Sequence, residues 1–331
     1  MFNYLRTLRH PARYHGFDKK PPFFEGWYFK LIDASEQHRY ALIPGIFISA
    51  DPARRHAFIQ VLNGSTGQAH YFQYPAAAFG AARDRFEVQI GASRFCSDAI
   101  SLQIDQDGQS LRGDVRFLGT TPWPVTWRSP GIMGWYAWVP GMECYHGVLS
   151  FDHELQGGLT FAGAALDFSG GRGYIEKDWG QSFPAAWIWM QTNHFAVVGV
   201  SLTASIAIIP WRRSAFPGFI IGLRHEGRLY RFATYTGAVI ERLLIADDHV
   251  WWMVADRDYR LEMKARRAEG GLLYGPTRQE MHKRVDETLN AAVEVRLSEK
   301  GGRVLFTGIG RHAGMEVQGD LDRLLALQTQ T

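Results

Sequence analysis

The sequence has few cysteines and little net charge, and both shortages exclude classes of protein. Its 331 residues include two cysteines, Cys96 and Cys144, which are too few for a disulfide framework or a thiolate metal site. Thirty-six basic residues against 33 acidic ones give a formal charge of +3, which provides no basis for nucleic acid binding. We therefore expect free thiols in a reducing compartment and no nucleic acid partner.

Long apolar runs are missing as well. The longest apolar stretch, residues 195–211, is interrupted by polar residues and falls short of the roughly 20 residues that a membrane-spanning helix needs. Residues 1–13 contain Arg6, Arg9 and Arg13 but not the apolar core of a signal peptide. We expect a cytoplasmic protein whose basic N-terminal stretch makes transient contact with anionic membranes.

The motifs of the common catalytic and cofactor sites are also absent. The sequence has no Gly-x-Gly-x-x-Gly after a strand, no Walker loop, no His-Glu-x-x-His and no Gly-x-Ser-x-Gly. Its 12 histidines are dispersed, and a spacing of seven would place His146 and His153 on opposite faces of a strand. From the sequence we expect neither a metal site nor a cofactor.

Glycine and aromatic residues, by contrast, are plentiful. The chain has 35 glycines and 14% aromatic residues, which suit tight turns and pleated surfaces. Runs of alternating polar and apolar residues flank Asp107-Gly108, Glu226-Gly227 and Gly301-Gly302, a pattern typical of β-hairpins. Helical periodicity is confined to residues 321–325. The sequence therefore predicts an almost all-β protein.

Two similar domains are the expected organisation. An acidic segment, a Trp-rich strand and an apolar strand follow one another in this order from Trp27 onward and again near Trp187. The Ser-Gly-Gly sequence at 169–171 provides a boundary that divides the chain into halves of similar size. We expect domains at residues 1–170 and 171–331.

Four carboxylates lie in short segments rich in aromatic residues. They are Glu25, Glu143, Glu176 and Asp178. A carboxyl group that is pressed against aromatic rings loses hydration, so its pKa should rise and make it a general acid near neutral pH. If 176–179 is a strand, Glu176 and Asp178 share one face and Lys177 and Trp179 the other. The alternative is a solvated turn with local ion pairs.

The segment 121–145 differs from the rest of the chain. Five Trp and Tyr residues lie among four prolines between 121 and 140, and the prolines exclude a central strand. We expect this aromatic loop either to cover an apolar site or to serve as a packing pad between domains.

Two of these segments resemble motifs of the tocopherol cyclase family. Residues 24–30, Phe-Glu-Gly-Trp-Tyr-Phe-Lys, resemble its N-terminal motif. Residues 176–193, with Glu-Lys-Asp-Trp-Gly before Phe-Pro and a Trp-rich strand, are similar to its longest motif, although Asp178 stands where plant members tend to have Asn. The resemblance implies two lipocalin-like β-barrel domains packed together. It also implies the cyclisation of a prenylated benzoquinol to a chromanol, the reaction of an intramolecular lyase among the isomerases.

Such a reaction needs an acid, a base and an aromatic pocket that excludes water and stabilises a carbocation. Among the carboxylates, Glu176 or Asp178 is the first candidate acid, followed by Glu25 and then Glu143. The partner would be a hydrophobic prenylated aromatic molecule. The residues expected to contact it are Trp27, Tyr28, Trp179, Trp187, Trp189, Gln191, Asn193 and His146.

Three other functions remain open from the sequence. A hydratase of the carotenoid hydratase type would trap the same cation with water. A lipocalin-like carrier would bind an isoprenoid lipid without chemistry, and should have no desolvated acid facing its cavity. A structural adaptor built of two barrels is the fourth reading.

Overall fold

The computed structural model describes residues 9–329, which form two antiparallel β-sheets. The first sheet contains β1 (Phe23–Ile32), β2 (Arg39–Ile48), β3 (His56–Asn63), β4 (Ala69–Pro75), β5 (Phe79–Ala81), β6 (Glu87–Ile90), β7 (Ser93–Cys96), β8 (Ala99–Gln106), β9 (Gln109–Leu118), β10 (Cys144–Phe161), β11 (Ala164–Asp167) and β12 (Arg172–Gly180). The second contains β13 (Ala186–Thr192), β14 (Ser201–Trp211), β15 (Ser214–His225), β16 (Arg228–Ala233), β17 (Val239–Ile245), β18 (His249–Ala255), β19 (Tyr259–Arg266), β20 (Gly271–Pro276), β21 (Met281–Glu299) and β22 (Val304–Gly319).

The two sheets repeat one strand order. In the first, β1 to β4 form a meander and β1 pairs on its other side with β12, the last strand of the sheet. In the second, β13 to β16 form the same meander and β13 pairs with the last strand, β22. The two Trp-rich motifs are thus the first strands of equivalent meanders, which agrees with the shared order of motifs in the sequence.

The predicted hairpins are confirmed. Asp107 and Gly108 connect β8 to β9 with φ values of 54° and 72°, and Glu226 and Gly227 connect β15 to β16 with 50° and 72°. Two successive positive φ values match the right-handed twist of the flanking strands. The described part of the chain has one α-helix, α1 (Leu321–Gln328), where the C-terminal periodicity predicts it, and Asp320 caps its first turn.

Each sheet has an apolar core of its own. The core of the first includes Trp27, Phe29 and Trp179, whereas that of the second includes Ile188 and Met190. Along β1 and along β13, every second residue faces the core of its sheet, because side chains alternate between the two faces of a strand.

The compact units of the described chain divide after Phe183. One unit comprises the chain up to Phe183 together with Leu273–Arg284, and the other comprises Pro184–Leu272 together with the chain from Val285 onward. Because β12 pairs with β1 and β10, the strand that follows 169–171 belongs with the first sheet. The expected domain limits of 1–170 and 171–331 stay a prediction.

The segment between β9 and β10, residues 119–143, is called here the tryptophan loop. It contains a short 3-10 helix, Gly134–Trp138, and no strand of either sheet, as its prolines predict. None of the helices within residues 9–329 has the length and hydropathy to cross a bilayer.

Candidate functional site

The segments that contain Glu25 and Glu176 form neighbouring strands, β1 and β12. β12 pairs with β1 on one side and with β10 on the other, so Tyr28 lies opposite Glu176 and His146 opposite Asp178. Residues that are directly opposite in an antiparallel pair point to the same face. The segment 176–179 is therefore a buried strand, and its interpretation as a solvated turn is wrong.

Glu176 and Asp178 share a face of β12, as the alternation predicts, and His146 lies between them. His146 Nδ1 is 2.9 Å from Asp178 Oδ1, and its Nε2 is 3.6 Å from Glu176 Oε2. The hydroxyl of Tyr174 donates a 2.6 Å hydrogen bond to the same Oε2 of Glu176. The three side chains of Glu176, His146 and Asp178 form a continuous polar chain, called here the carboxylate–histidine relay.

The relay runs from a wetter to a drier environment. The side chain of Glu176 is 6% exposed, whereas that of Asp178 is 28% exposed. An imidazole whose two nitrogens face two carboxylates can take a proton from one side and release it on the other. The 3.6 Å separation is longer than a hydrogen bond, as catalytic contacts often are before the substrate binds. The relay can thus supply protons to a buried carboxyl.

The relay also has the donor set of a divalent cation site. His146 offers a ring nitrogen, and Glu176 and Asp178 each offer a carboxylate oxygen. These three ligand atoms lie within 4.8 Å of one another. The expectation of no metal site did not foresee this group. A metal-ligating histidine usually donates its other ring N–H to a carboxylate, so the contacts of His146 fit coordination of a cation as well as proton transfer.

The opposite face of the same strands holds a second, drier charge cluster. Lys177 Nζ lies 2.6 Å from Glu25 Oε1, and both side chains are fully buried. His15 Nδ1 is 2.7 Å from Lys177 Nζ and 3.3 Å from Glu25 Oε1, while the backbone N–H of His15 donates to Glu25 Oε2 at 2.9 Å. Lys177 also donates to the carbonyl of Arg13. These contacts hold the segment that contains Arg13 and His15 against the first sheet.

The expected rise in the pKa of Glu25 is wrong. Burial raises the pKa of this carboxyl, but the Lys177 ammonium and the His15 ring outweigh burial and hold it below its usual value. Burial lowers the pKa of Lys177 to about 8 against the attraction of Glu25, and burial with the charge of Lys177 lowers that of His15 to about 4. Glu25 is therefore held as an ionised partner of Lys177, which suits a structural role better than that of a general acid.

Trp27 and Trp179 lie on this second face. The Lys177 ammonium is 5.1 Å from the Trp27 ring and 4.8 Å from the Trp179 ring, and the imidazole of His15 stacks on Trp179 at 4.4 Å. A side chain on Gly147 would come within 3.3 Å of Trp179, so glycine leaves room for the ring. Both tryptophans therefore face away from Glu176. Tyr28, the other predicted contact residue in β1, lies on the same face as the relay.

Glu143 lies apart from both clusters. Its carboxylate accepts a 2.9 Å hydrogen bond from Ser182 Oγ and lies 3.6 Å from a guanidinium nitrogen of Arg278. Its backbone carbonyl accepts from the N–H groups of Gln181 and Ser182. These contacts give Glu143 a role in fixing the chain after β12.

The remaining predicted contact residues belong to the second unit. Trp187, Trp189 and Gln191 alternate along β13 with the core residues of that sheet and are buried on its other face. Trp187 Nε1 donates a 2.5 Å hydrogen bond to Glu316 Oε2. Asn193, just after β13, is buried, and its Oδ1 accepts a 2.9 Å hydrogen bond from His194 Nδ1.

Three residues of the two clusters were not assigned a role from the sequence. They are Tyr174, Lys177 and His15. The period of two could have found Tyr174, which lies two residues before Glu176 and so shares its face. Lys177 had a signal too, because a lysine that alternates with buried residues needs a carboxylate partner. His15 belongs to no strand and had no signal of this kind.

Comparison with known proteins gives one family and one fold. The sequence model of the family described as tocopherol cyclase-like matches residues 105–319. A probable chloroplastic tocopherol cyclase of Oryza sativa subsp. japonica is 24% identical over 286 residues, which cover 71% of this chain and 61% of the rice protein. The chloroplastic tocopherol cyclase of Zea mays is 30% identical over 153 residues, 44% of this chain and 31% of the maize protein. The chain therefore spans less than two thirds of the length of these plant relatives.

Solved structures share the fold at low identity. The crystal structure of CghA aligns with a TM-score of 0.57 at 14% identity and covers 92% of this chain and 90% of its own. Kievitone hydratase from Nectria haematococca aligns with a TM-score of 0.50 at 12% identity, with coverages of 94% and 95%. At these identities the likeness concerns the architecture and not the reaction.

Proposed function

Because the chain belongs to the tocopherol cyclase-like family, we propose that it is an acid-catalysed cyclase that closes a prenylated benzoquinol to a chromanol. The observation that carries the proposal is the carboxylate–histidine relay, in which the buried Glu176 is connected through His146 to the more exposed Asp178. In classification terms the reaction is an isomerisation by an intramolecular lyase.

The relay accounts for each proton in this reaction. Protonated Glu176 gives its proton to the less substituted carbon of the trisubstituted alkene, which leaves a tertiary carbocation. The phenol oxygen bonds to the cation, and the phenol proton returns to the Glu176 carboxylate directly or through His146 and Asp178. No atom is gained or lost, so product and substrate have the same mass.

The surroundings of Glu176 suit this role. The Tyr174 hydroxyl holds the carboxyl in one orientation, and Tyr28 offers an aromatic ring on the same face. A ring face next to a carbocation stabilises it by roughly 0.5–2 kcal/mol. Trp187, Trp189, Gln191 and Asn193 stay predicted substrate contacts. Glu25, Glu143, Trp27 and Trp179 are weaker candidates, because the contacts described above already engage them in the structure of the first unit.

We propose that each sheet curves into a lipocalin-like barrel, a proposal supported by the antiparallel meanders and by the separate apolar core of each sheet. The cytoplasmic location and the contact of the basic N-terminal stretch with anionic membranes stay predictions. Arg9 is exposed, whereas Arg6 lies outside the described residues.

The test uses the purified full chain with a detergent-solubilised prenylated methylbenzoquinol, followed by liquid chromatography and mass spectrometry. Wild type should form a chromanol of unchanged mass and, in D₂O, incorporate one deuterium on carbon. Glu176→Gln should lower the rate by about 10²–10⁴-fold, the usual contribution of general acid catalysis. Asp178→Asn and His146→Gln should cause smaller losses, because they act through Glu176.

Glu154→Gln is the matched control, since Glu154 is an exposed carboxylate on the same strand as His146. It should turn over at the wild-type rate, and chelation with EDTA should not change that rate. A product heavier by one water would identify a hydratase. Substrate that copurifies with the protein and is recovered unchanged would identify a carrier, and a rate abolished by EDTA would make the relay a metal site.

A further inference from the structure

The tryptophan loop exposes large aromatic side chains that the proposed reaction does not use. Trp127 is 64% exposed and Trp135 is 47% exposed. Trp127 lies at the tip of a tight turn, which is closed by the bridge between Val125 and Pro130. Exposed tryptophans in one short segment mark a site that binds something apolar.

The exposure is not the result of a loosely packed loop. Trp123 is buried and stacks on Phe151 at a centroid distance of 5.5 Å. Ile132 and Ala137 are buried as well, and the hydroxyl of Tyr145 donates a 2.6 Å hydrogen bond to the carbonyl of Val139. The underside of the loop is thus anchored to the first unit, and the anchoring holds Trp127 and Trp135 outward.

The charged residue next to these tryptophans is positive. The tryptophan loop contains Arg128 and, at its end, Glu143, whose carboxylate accepts from Ser182 and lies beside Arg278. The guanidinium carbon of Arg128 lies 4.8 Å from the Trp127 ring, so a cation accompanies the most exposed tryptophan. Arg128 therefore places a positive charge, which an anionic surface attracts, beside the most exposed ring of the loop.

The loop also lies beside the basic N-terminal segment. A Cβ on Gly131 would be 3.8 Å from the Pro11 ring, so the two segments are in contact range. Pro11 is flanked along the chain by Arg9 and Arg13. Further along this segment, the guanidinium carbon of Arg83 lies 4.3 Å from the centre of the exposed Phe17 ring. The pairing of an exposed aromatic ring with an arginine therefore recurs in the N-terminal segment.

We propose that the tryptophan loop is a membrane-docking surface that enters the headgroup region of an anionic bilayer through Trp127 and Trp135. Tryptophan concentrates at membrane interfaces because its ring is apolar and its N–H can still meet water or headgroups. Arg128 meets the negative surface potential, an attraction that falls with salt. A loop that is anchored on its underside and exposes two tryptophans next to Arg128 combines both contributions.

Vesicle sedimentation tests the proposal with the full chain in the absence of any substrate. The vesicles are phosphatidylcholine alone and phosphatidylcholine with 30% phosphatidylglycerol. Wild type should bind the anionic vesicles at low salt and dissociate as salt rises. Trp127→Ser/Trp135→Ser should lower the binding constant by about tenfold or more, because the interfacial rings are gone. Arg128→Gln should weaken binding to anionic vesicles and leave binding to neutral ones unchanged.

Trp211→Ser is the matched control, since Trp211 is 38% exposed in the second unit and is followed by two arginines. It should bind as wild type does. Equal losses in Trp211→Ser and the loop variant would overturn the assignment, as would wild type that fails to bind or a loop variant that binds fully. A change of the loop variant from dimer to monomer in sedimentation velocity, with vesicle binding intact, would instead assign the loop to a second copy of the chain. Thermal unfolding of each variant at the wild-type temperature establishes that folding is intact.

This proposal goes beyond the cyclase reaction, and the two can fail separately. Turnover of detergent-solubilised substrate measures the relay without a membrane, and vesicle binding measures the loop without a substrate. If docking serves substrate uptake, the loop variant should keep its rate in detergent and lose it on substrate presented in anionic vesicles.

Discussion

Removal of either member of the Glu25–Lys177 pair should be among the most destabilising single substitutions in the first unit. Both side chains are fully buried, with 2.6 Å between Lys177 Nζ and Glu25 Oε1. At this distance the attraction is roughly 6 kcal/mol for an effective dielectric constant of about 20. Much of that attraction offsets the loss of hydration of the two ions. The intact pair thus contributes little net stability. Removal of one partner lowers the stability strongly, because the other charge is then buried without a counter-ion.

Glu25→Gln keeps the acceptor for the N–H of His15 and removes the negative charge. Lys177 then has to be buried without a counter-ion or release its proton. Proton release at pH 7 costs about 4–5 kcal/mol, because the ordinary lysine pKa of about 10.4 lies more than three units higher. We expect the free energy of unfolding to fall by about 3–5 kcal/mol, as for other broken buried pairs. Glu25→Gln/Lys177→Met removes both charges and should be more stable than the single Glu25→Gln variant.

The two single variants should respond to pH in opposite directions. In Glu25→Gln, the folded state holds Lys177 neutral and the unfolded state holds it charged, so stability rises with pH between 7 and 8. In Lys177→Met, the folded state must protonate Glu25 and the unfolded state does not, so stability falls over the same window. Urea unfolding at pH 7.0, 7.5 and 8.0 measures both slopes. Asp105→Asn, which breaks an exposed ion pair with Arg112, is the control and should have little effect. Parallel slopes in the two variants would refute the assignment of a desolvated, ionised pair.

Two further substitutions test smaller features of the fold. Trp187→Phe removes the indole N–H that donates to Glu316 and should cost about 1.5–3 kcal/mol in urea unfolding, whereas Trp135→Phe on the exposed loop should cost little. Gly113→Ala should destabilise far more than Gly108→Ala, although both glycines have positive φ, because a Cβ on Gly113 would lie 2.3 Å from the carbonyl oxygen of Gly158 and one on Gly108 meets nothing. Equal melting temperatures of the two alanine variants would contradict the close approach of β9 and β10.

The local features of this fold could be predicted from the sequence because they depend on neighbours along the chain. The Asp107-Gly108 turn needs two positive φ values, which this dipeptide tolerates, and the flanking alternation sets the strands. The shared face of Glu176 and Asp178 follows from the period of two alone. Both predictions required no knowledge of which strands pair.

The partners of these residues could not be predicted in the same way. Glu25 meets Lys177 because β1 pairs with β12, two strands about 150 residues apart in the sequence. His15 joins them from a segment without regular structure, and its role depends on that pairing. The expected rise in the pKa of Glu25 was wrong for this reason, since the aromatic neighbours of Glu25 were visible in the sequence and its pairing with Lys177 was not. Desolvation alone would raise the pKa of Glu25. The Lys177 ammonium, which the fold places beside this carboxylate, lowers the pKa instead.

His153 provides a last test, of the stability of the first unit in acid. Its side chain is buried beside the ring of Phe117 at 4.7 Å, and its Nδ1 lies 3.0 Å from Ser150 Oγ. Burial lowers the pKa of His153 to about 3, against about 6.5 in the unfolded chain. Between these values the unfolded state binds a proton that the folded state does not, so stability falls as the pH decreases below 6.5.

At one pKa unit per 1.36 kcal/mol, this histidine alone should remove about 2 kcal/mol of the free energy of unfolding between pH 6.5 and pH 5. His153→Gln cannot take up the proton and should lose about 2 kcal/mol less over that interval, whatever its stability at pH 7. His15, with a pKa lowered to about 4, contributes a similar loss in both proteins and cancels in the comparison. Urea unfolding of wild type and His153→Gln at pH 7, 6 and 5 measures the difference in slope. Identical slopes would mean that the His153 ring is protonated in the folded protein, which the apolar contact with Phe117 and the close packing on Gly173 do not allow.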